Sequence, residues 1–468
     1  MDKLLHIIKK YIPVKIFKAL QPAYHFLLSA LASIWYGWPS NKLIVIGVTG
    51  TTGKTTSVYL ISKMLNSAGY KTGFTSTAMF NDGNREWLNN KKMTMSGRFF
   101  TQKILKKMVK NKCQYAIIET TSQGVEQFRH KFINYDILIF TGLYPEHIEA
   151  HGGFNNYKQA KGKLFQHLKQ GKTKYANDKK QVIKAENGFK KIESNRVKKI
   201  IIANGDDKYA DFFLSFWAEE KWEYKVKNVS QNSKLNNHIV EYGEILPSSN
   251  GIEFIIENTK INLNLLGEYN AANAMNAVGL GLSQEISLEK IKIGLEKIKG
   301  VPGRMELIKS AEPAFTVIVD YAFEPEALKK IYNTILKLEH NKIIHALGSA
   351  GGGRDAARRP KLGALAGEKA DIVIITNEDP YDDDPKLIID QVAVGAKNAG
   401  KAINKNLFKI EDRREAIKKA LALAEENDIV LITGKGCEQA ICVAEGKKIP
   451  WDDREVVREE LDKLAKNK

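Results

Sequence analysis

Cysteine is scarce in this chain. Cys113, Cys437 and Cys442 are the only three in 468 residues. Their spacing matches no zinc ligand set and no disulfide framework, which excludes a metal finger and a stapled secreted domain. A reducing, cytoplasmic setting is expected, extending at most to the inner membrane surface. Long hydrophobic runs are also missing. The best candidate, FLLSALASIWYGW from Phe26 to Trp38, falls short of the ~20 apolar residues needed to span a bilayer. No A-x-A site follows the first apolar stretch, so no cleavable signal peptide is expected. Internal repeats, low-complexity tracts, aromatic RNA-binding signatures and basic-region heptads are absent too.

Positive charge is plentiful: 72 Lys and Arg stand against 54 Asp and Glu, a formal +18. Such a balance suits nucleic acid, an anionic membrane surface or acidic small substrates. The lysines are spread along the whole chain, so the plainer reading is a lysine-rich surface, and no nucleic-acid partner is expected. The hydrophobic fraction of 43% is enough for ordinary cores. The length suits about three domains, and a monomer is expected.

The fold class predicted is α/β. A short helical segment (1–41) precedes a central phosphate-loop domain with a doubly wound, mostly parallel sheet (42–303). A Rossmann-like α/β domain follows (304–468). In the first segment Leu4, Ile7, Ile8, Tyr11 and Ile12 recur at helical spacing, with Lys3, Lys9 and Lys10 on the other side. A membrane-interface helix and a helical arm packed on the protein body both fit this pattern. From Lys42 the runs 42–48, 115–119 and 135–141 read as buried parallel strands, with a helical pattern from Thr55 to about Ser67. Residues 200–266 look β-rich and irregular, and 270–298 helical. After the Gly/Pro-punctuated hinge GVPGR (300–304), the strand-like runs 316–320, 342–348, 371–376 and 428–434 build the second series.

The strongest chemical signal is GVTGTTGKTT, Gly47 to Thr56, between a strand and a helix start. Backbone N–H groups of such a turn point at phosphate oxygens, and the helix N-terminus adds positive potential. Gly50, Thr51, Thr52, Gly53, Lys54, Thr55 and Thr56 are the nucleotide-binding candidates. Lys54 would reach the β/γ-phosphates, and the Thr55 hydroxyl would ligate Mg²⁺. The common spacing would put a glycine where Val48 stands, so this is a tighter version anchored on Gly50 and Gly53. Glu119 ends a parallel strand, at the edge where open α/β sheets bind ligands, and a carboxylate there can hold Mg²⁺. His147, in PEHIEAHGG (145–153), falls at the same edge. Lys161 sits on a predicted helix, where a lysine is ordinarily a solvated charge. In the second series, Arg354 in GSAGGGRD suits a carboxylate. With GKGCE (434–438) it suggests a second small-molecule site.

Taken together, these motifs resemble the Mur ligase family, nearest to its tripeptide synthetases, from about Lys42 to the C-terminus. The loop matches GTTGKTT. The family's E-[TV]-[ST]-S-H-G element appears as Glu119 to Gly124. Its T-N-L-x-x-D-H-L-D-Y-H-G element appears as TGLYPEHIEAHGG. GVPGRME (300–306) is present whole, and GKGCE and IPWDDRE stand where the family has G-K-G-H-E and I-P-F-D-D-R-E. The resemblance implies a cytoplasmic ATP-dependent amino-acid ligase of peptidoglycan synthesis. It phosphorylates an acceptor carboxylate and forms an amide through the acyl phosphate. Two Mg²⁺ ions, with Thr55, Glu119, His147 and Lys161 as metal-site residues, are also implied. Lys161 falls on the family's carbamoylated lysine. Asn270, Arg304 and Asp320 fall on nucleotide positions. Thr94, Thr121, Gln127 and Arg129 fall on acceptor-peptide positions.

The chain departs from the family most in two places, with smaller changes at Gln123, Gly142, Glu146, Phe323 and Cys437. Only 41 residues precede the phosphate-loop domain, where tripeptide synthetases carry a whole domain for the UDP end of the acceptor. An acceptor not held by UDP, lipid-linked or on another muropeptide carrier, is therefore expected. Where diaminopimelate-adding members carry D-N-P-R, this chain has Glu378, Asp379, Pro380 and Tyr381, followed by Asp382, Asp383 and Asp384. Tyr381 replaces the arginine. An acidic loop favours a distal ammonium, so L-lysine or another diamine is expected first and diaminopimelate second. Arg358 and Arg359 are alternative sources of the missing cation, and Gly434 and Glu438 complete the amino-acid candidates. Two other readings stay open: a phosphate-loop NTPase acting on nucleic acid, and a folylpolyglutamate-synthetase-like ligase.

Overall fold

The computed structural model describes residues 14–146, 151–183, 195–227, 237–248, 250–310 and 313–466. The chain forms two compact units. The first holds Met1–Trp87, Met93–Glu241 and Met275–Ile291; the second holds Leu88–Lys92, Tyr242–Ala274 and Lys292–Lys468.

The first unit begins with helix α1 (Val14–Tyr36). It is followed by strand β1 (Ile44–Thr49), helix α2 (Lys54–Ser67), and strands β2 (Thr72–Thr75) and β3 (Met79–Asn81). Next come α3 (Arg98–Lys110), β4 (Tyr115–Glu119), the short α4 (Ser122–Glu126), β5 (Ile137–Phe140) and α5 (Phe154–Leu168). Strands β6 (Ile200–Asn204) and β7 (Glu220–Val226) complete the series. The strands lie in the order β7-β6-β5-β1-β4-β2-β3, parallel except for β3. All six residues of β1 are buried, as a strand covered on both faces requires. Because side chains alternate, Leu43 and Val45 enter one core with Ile104, Leu105, Leu164 and Phe165. Ile44, Ile46 and Val48 are buried on the other face, and α2 packs on β1, β2 and β4.

Beneath the N-terminal ends of the strands lies a buried ion cluster. Asp136 accepts from Lys174 Nζ at 2.5 Å, Lys199 Nζ at 2.8 Å and Val45 N at 2.8 Å. Burial, only partly opposed by Asp136, lowers the Lys174 ammonium to about 8.

The second unit contains an antiparallel meander, β8 (His238–Ser248), β9 (Gly251–Ile256) and β10 (Thr259–Leu263). The run 270–298, whose Met275–Ile291 part belongs to the first unit, is two helices, α6 (Tyr269–Ser283) and α7 (Leu288–Glu296), broken at Glu285, whose φ is 63°. The second sheet contains β11 (Glu306–Lys309), β12 (Thr316–Asp320), β13 (Ile343–Leu347), β14 (Ile372–Ile375), β15 (Leu407–Lys409) and β16 (Ile429–Thr433). Their order is β11-β12-β16-β13-β14-β15, with only β11 antiparallel. Each face has its own apolar core. His345 lies inside β13, its ring nitrogens 2.7 Å from Tyr332 OH and 2.9 Å from Thr433 Oγ1.

Candidate active site

In the first unit, β1, β4 and β5 end at one sheet edge. Val48 pairs with Glu119, and Thr49 with Phe140. The phosphate loop leaves that edge as residues 50–53 and enters α2 at Lys54. Gly53 takes a left-handed φ of 80°. Gly50 is needed for space: a Cβ there would fall 2.0 Å from Thr141 Oγ1 and 2.9 Å from Gly142 O. Thr141 Oγ1 donates to Thr52 O at 2.6 Å, and Thr51 N to Gly142 O at 2.8 Å, so the strand β5 exit holds the loop. Thr56 is buried in the first turn of α2.

Two amines meet at one carbonyl. Lys54 Nζ donates to Gly50 O at 3.1 Å and to Thr51 O at 2.7 Å, and Lys161 Nζ donates to the same Gly50 O at 2.8 Å. Lys161, on α5, is 2% exposed and lies 4.7 Å from the Tyr157 ring centroid. Burial and the neighbouring Lys54 push its ammonium far below the usual lysine range, against the pull of Glu146 and Glu119. The surroundings of Lys161 thus favour its neutral form over its charged one.

Beside it, Thr55 Oγ1 bonds to the Glu119 carboxylate, which also accepts from Thr77 N at 2.7 Å and Thr77 Oγ1 at 2.9 Å. Thr94 Oγ1 lies 2.9 Å from Thr77 Oγ1 and donates to it, since the single Thr77 proton goes to Glu119. Hard oxygen donors of this kind suit Mg²⁺. Among the described residues no group of three or more His, Cys, Asp and Glu gathers at metal-holding distance. His147 lies outside the described residues. His151, from the same motif, is 3.1 Å from Ser122 Oγ.

The acceptor candidates divide. Thr94 joins the Glu119 network. Thr121 caps α4, accepting from Gly124 N at 3.0 Å. Gln127 accepts from Arg129 Nη2 at 2.6 Å. Burial, then Arg98, lowers the Arg129 guanidinium to about 10.

In the second unit, Asn270 Nδ2 donates to Leu266 O at 2.7 Å, and its Oδ1 accepts from Asn273 at 2.7 Å. Asp320 accepts from Met305 N at 2.7 Å and Ala322 N at 2.6 Å. Burial pushes its carboxyl up, against Arg304 and those two donors. The Arg304 guanidinium lies 4.4 Å from the Tyr321 ring centroid. Gly303, with φ 63°, passes so close to Cys437 that a Cβ would lie 2.4 Å from its N. The GVPGR turn and the GKGCE loop are thus packed backbone to backbone.

Asp379 and Glu438 come together around two lysines. Lys435 Nζ lies 2.8 Å from each carboxylate, and Lys92 Nζ bonds to both, at 2.8 Å from Asp379. Burial works against the Lys92 charge, but Glu438 and Asp379 outweigh it and hold the ammonium well above its usual range. Gly434, at φ 110°, passes Glu378, which burial pushes up. Tyr381 takes a left-handed φ of 53°, and its N donates to Cys442 O at 3.1 Å. Arg354 is exposed, and Tyr381 and Tyr321 favour its charge against burial.

The acidic run has other partners than the expected ammonium. Asp382 accepts from Glu445 N at 2.8 Å, Asp383 lies 3.4 Å from Arg359 Nη2, and Asp384 accepts from Lys386 N at 2.9 Å as a helix cap. Arg358 pairs with Glu324, and Arg359 bonds to Gln391 and Ala350 O; both arginines are buried. Sequence reasoning missed Thr77, Tyr157, Lys92 and Lys435. Lys435 stands inside GKGCE and Tyr157 opens YKQAKGKLF (157–165), the stretch around Lys161, whereas Thr77 and Lys92 lie in no such motif.

Residues 48–194 and 186–281 match the Mur ligase middle domain, and residues 303–436 match the Mur ligase, glutamate ligase domain. The UDP-N-acetylmuramyl-tripeptide synthetase of Roseiflexus sp. (strain RS-1) is 34% identical over 446 residues, 94% of this chain and 82% of that protein. The UDP-N-acetylmuramoyl-L-alanyl-D-glutamate–2,6-diaminopimelate ligase of Clostridium tetani is 32% identical over 442 residues, 93% of this chain and 81% of that one. A solved structure of an enzyme with the latter name is 26% identical, with a TM-score of 0.55, over 91% of this chain and 79% of the other.

Proposed function

The chain belongs to the Mur ligase family, and on that footing we propose that it joins a diamino acid to a muramoyl-dipeptide-type acceptor through an acyl phosphate. Its coarser activity is the family's: it is an ATP-dependent ligase that forms a peptide bond in peptidoglycan synthesis. The observation that carries the finer reading is the convergence of Lys54, Lys161, Thr55 and Glu119 on one end of β1.

In this reading an acceptor carboxylate oxygen attacks the γ-phosphorus of ATP, and the bond to the leaving ADP breaks. The incoming amine then attacks the acyl carbon and loses a proton. The tetrahedral intermediate collapses to the amide, and phosphate leaves. Lys54 swings from the loop carbonyls to the β- and γ-phosphates. Bound Mg²⁺ would neutralise phosphate charge, held through Thr55 Oγ1 and Glu119. The lowered basicity of Lys161 favours the free amine that attack on CO₂ requires. The resulting carbamate would supply an anionic oxygen at the same place. Asn270, Arg304 and Asp320 serve the nucleotide, and Gln127, Arg129 and Thr94 the acceptor peptide.

For the added amino acid, the reading now puts diaminopimelate ahead of L-lysine. The acidic run argued for lysine, but Asp382, Asp383 and Asp384 are engaged with backbone and Arg359. The Clostridium relatives carry diaminopimelate ligase names. Arg354, exposed beside Tyr381, suits a distal carboxylate.

The test is phosphate release from ATP with L-lysine or meso-diaminopimelate, against UDP-linked and lipid-linked muramoyl-dipeptide, with product mass as the readout. Release that needs both an amino acid and a muropeptide is expected. Release indifferent to both, and raised by nucleic acid, would overturn the reading.

A further inference from the structure

Helix α1 is built inside out. The face it turns to the first unit carries small residues. Ser29, Ala32 and Ser33 are buried, and the two hydroxyls donate to Phe128 O at 2.9 Å and Phe132 O at 3.1 Å. Arg98 Nε adds a bond to Ser29 Oγ at 3.0 Å. The large apolar residues point the other way. Leu20, Tyr24, Leu27, Leu31 and Ile34 are all exposed, and Trp35 is 76% exposed. Steps of four and three residues place the first five on a single helical stripe, which Trp38 continues beyond the helix end. A helix of a soluble protein ordinarily has its faces the other way round.

The charge around the stripe has one sign. No Asp or Glu occurs between Lys3 and Asn81, whereas six lysines lie within the first 42 residues. Helix α3 packs along α1 and contributes exposed Lys103, Lys106 and Lys110; Lys106 Nζ is 6.0 Å from the Tyr36 ring centroid. Among the described residues no helix is long and apolar enough to cross a membrane.

We propose that α1 lies in the plane of an anionic lipid surface, with the stripe in the acyl boundary and the lysines of α3 at the headgroups. Three observations favour lipid over a second copy of this chain. The aromatic residues Tyr24, Trp35, Tyr36 and Trp38 suit the headgroup level. The flanking lysines match anionic lipid. Two stripes packed together would instead bring lysine beside lysine, with no carboxylate on α1 or α3 to answer them.

The test pellets the full chain with phosphatidylcholine vesicles, with and without phosphatidylglycerol, and follows tryptophan emission. Binding to the phosphatidylglycerol vesicles is expected, with blue-shifted emission and weakening at high salt. The exposed pair Leu31→Gln and Trp35→Gln should keep its melting temperature and lose partitioning by about tenfold or more. Vesicle binding that the pair leaves unchanged would overturn the proposal. So would no binding together with a dimer that the pair dissolves, which assigns the stripe to a second copy. Binding that appears only after residues 1–13 are deleted would assign the stripe to that segment instead.

Discussion

The Thr55 hydroxyl bonds to both oxygens of Glu119, at 3.1 and 3.0 Å, across 64 positions of sequence. Parallel pairing of β1 with β4 brings them together, since it sets Val48 opposite Glu119. The phosphate loop and the carboxylate are therefore positioned by sheet register rather than by a flexible loop.

Glu119→Gln keeps the size of the side chain and removes its charge. Turnover should fall by about 10²–10³, with a higher Mg²⁺ requirement, because charge placed at the reacting phosphates is lost. Phosphate release titrated with Mg²⁺ checks this. Unchanged turnover would remove Glu119 from the reaction.

Gly50→Ala should weaken nucleotide binding by at least about tenfold, or ~1.4 kcal/mol. Its Cβ would meet Thr141 Oγ1 at 2.0 Å, so either the loop or the β5 exit must shift. Calorimetry with ADP is the measurement, and wild-type affinity would refute the steric argument.

His345 gives the second unit an acid limit. Burial, then Arg413, holds its ring at about 3, below the ordinary 6.5. The folded state thus binds fewer protons than the unfolded chain between those values. The contribution is full above pH 6.5 and is lost as pH falls toward 3, at about 1.4 kcal/mol per pH unit. His345→Gln should flatten the acid side of a urea-midpoint-against-pH curve by about one proton. An unaltered curve would assign the acid limit to other groups.

Asp136→Asn leaves Lys174 and Lys199 buried without their carboxylate. A loss of about 3–5 kcal/mol is expected, read from urea unfolding. Nucleotide affinity of the folded fraction should stay at the wild-type value.

The strands were legible because buried parallel strands are continuous apolar runs: 115–119 and 316–320 coincide with β4 and β12. The loop and Glu119 were legible because a strand end and a glycine turn are local signals. The partners of Glu119 were not. Thr77 reaches it across 42 positions, and no periodicity marks such a contact. Lys92 lies in an unpatterned polar stretch, and its bonds to Asp379 and Glu438 span 287 and 346 positions. For the run Asp382 to Asp384, composition shows three charges but not their partners: a helix-cap N–H, an arginine and a backbone N–H.

The ion cluster at Asp136 and the Thr55–Glu119 pair occupy opposite ends of the same strands, 136 just before β5 and 119 at the close of β4. Variants of this chain can therefore be sorted without an assay for the reaction. A change at the Asp136 end would show up as lower soluble yield and an earlier melt. A change at the Glu119 end that keeps the side chain's size, as Glu119→Gln does, would show up far less in yield and melt than in turnover.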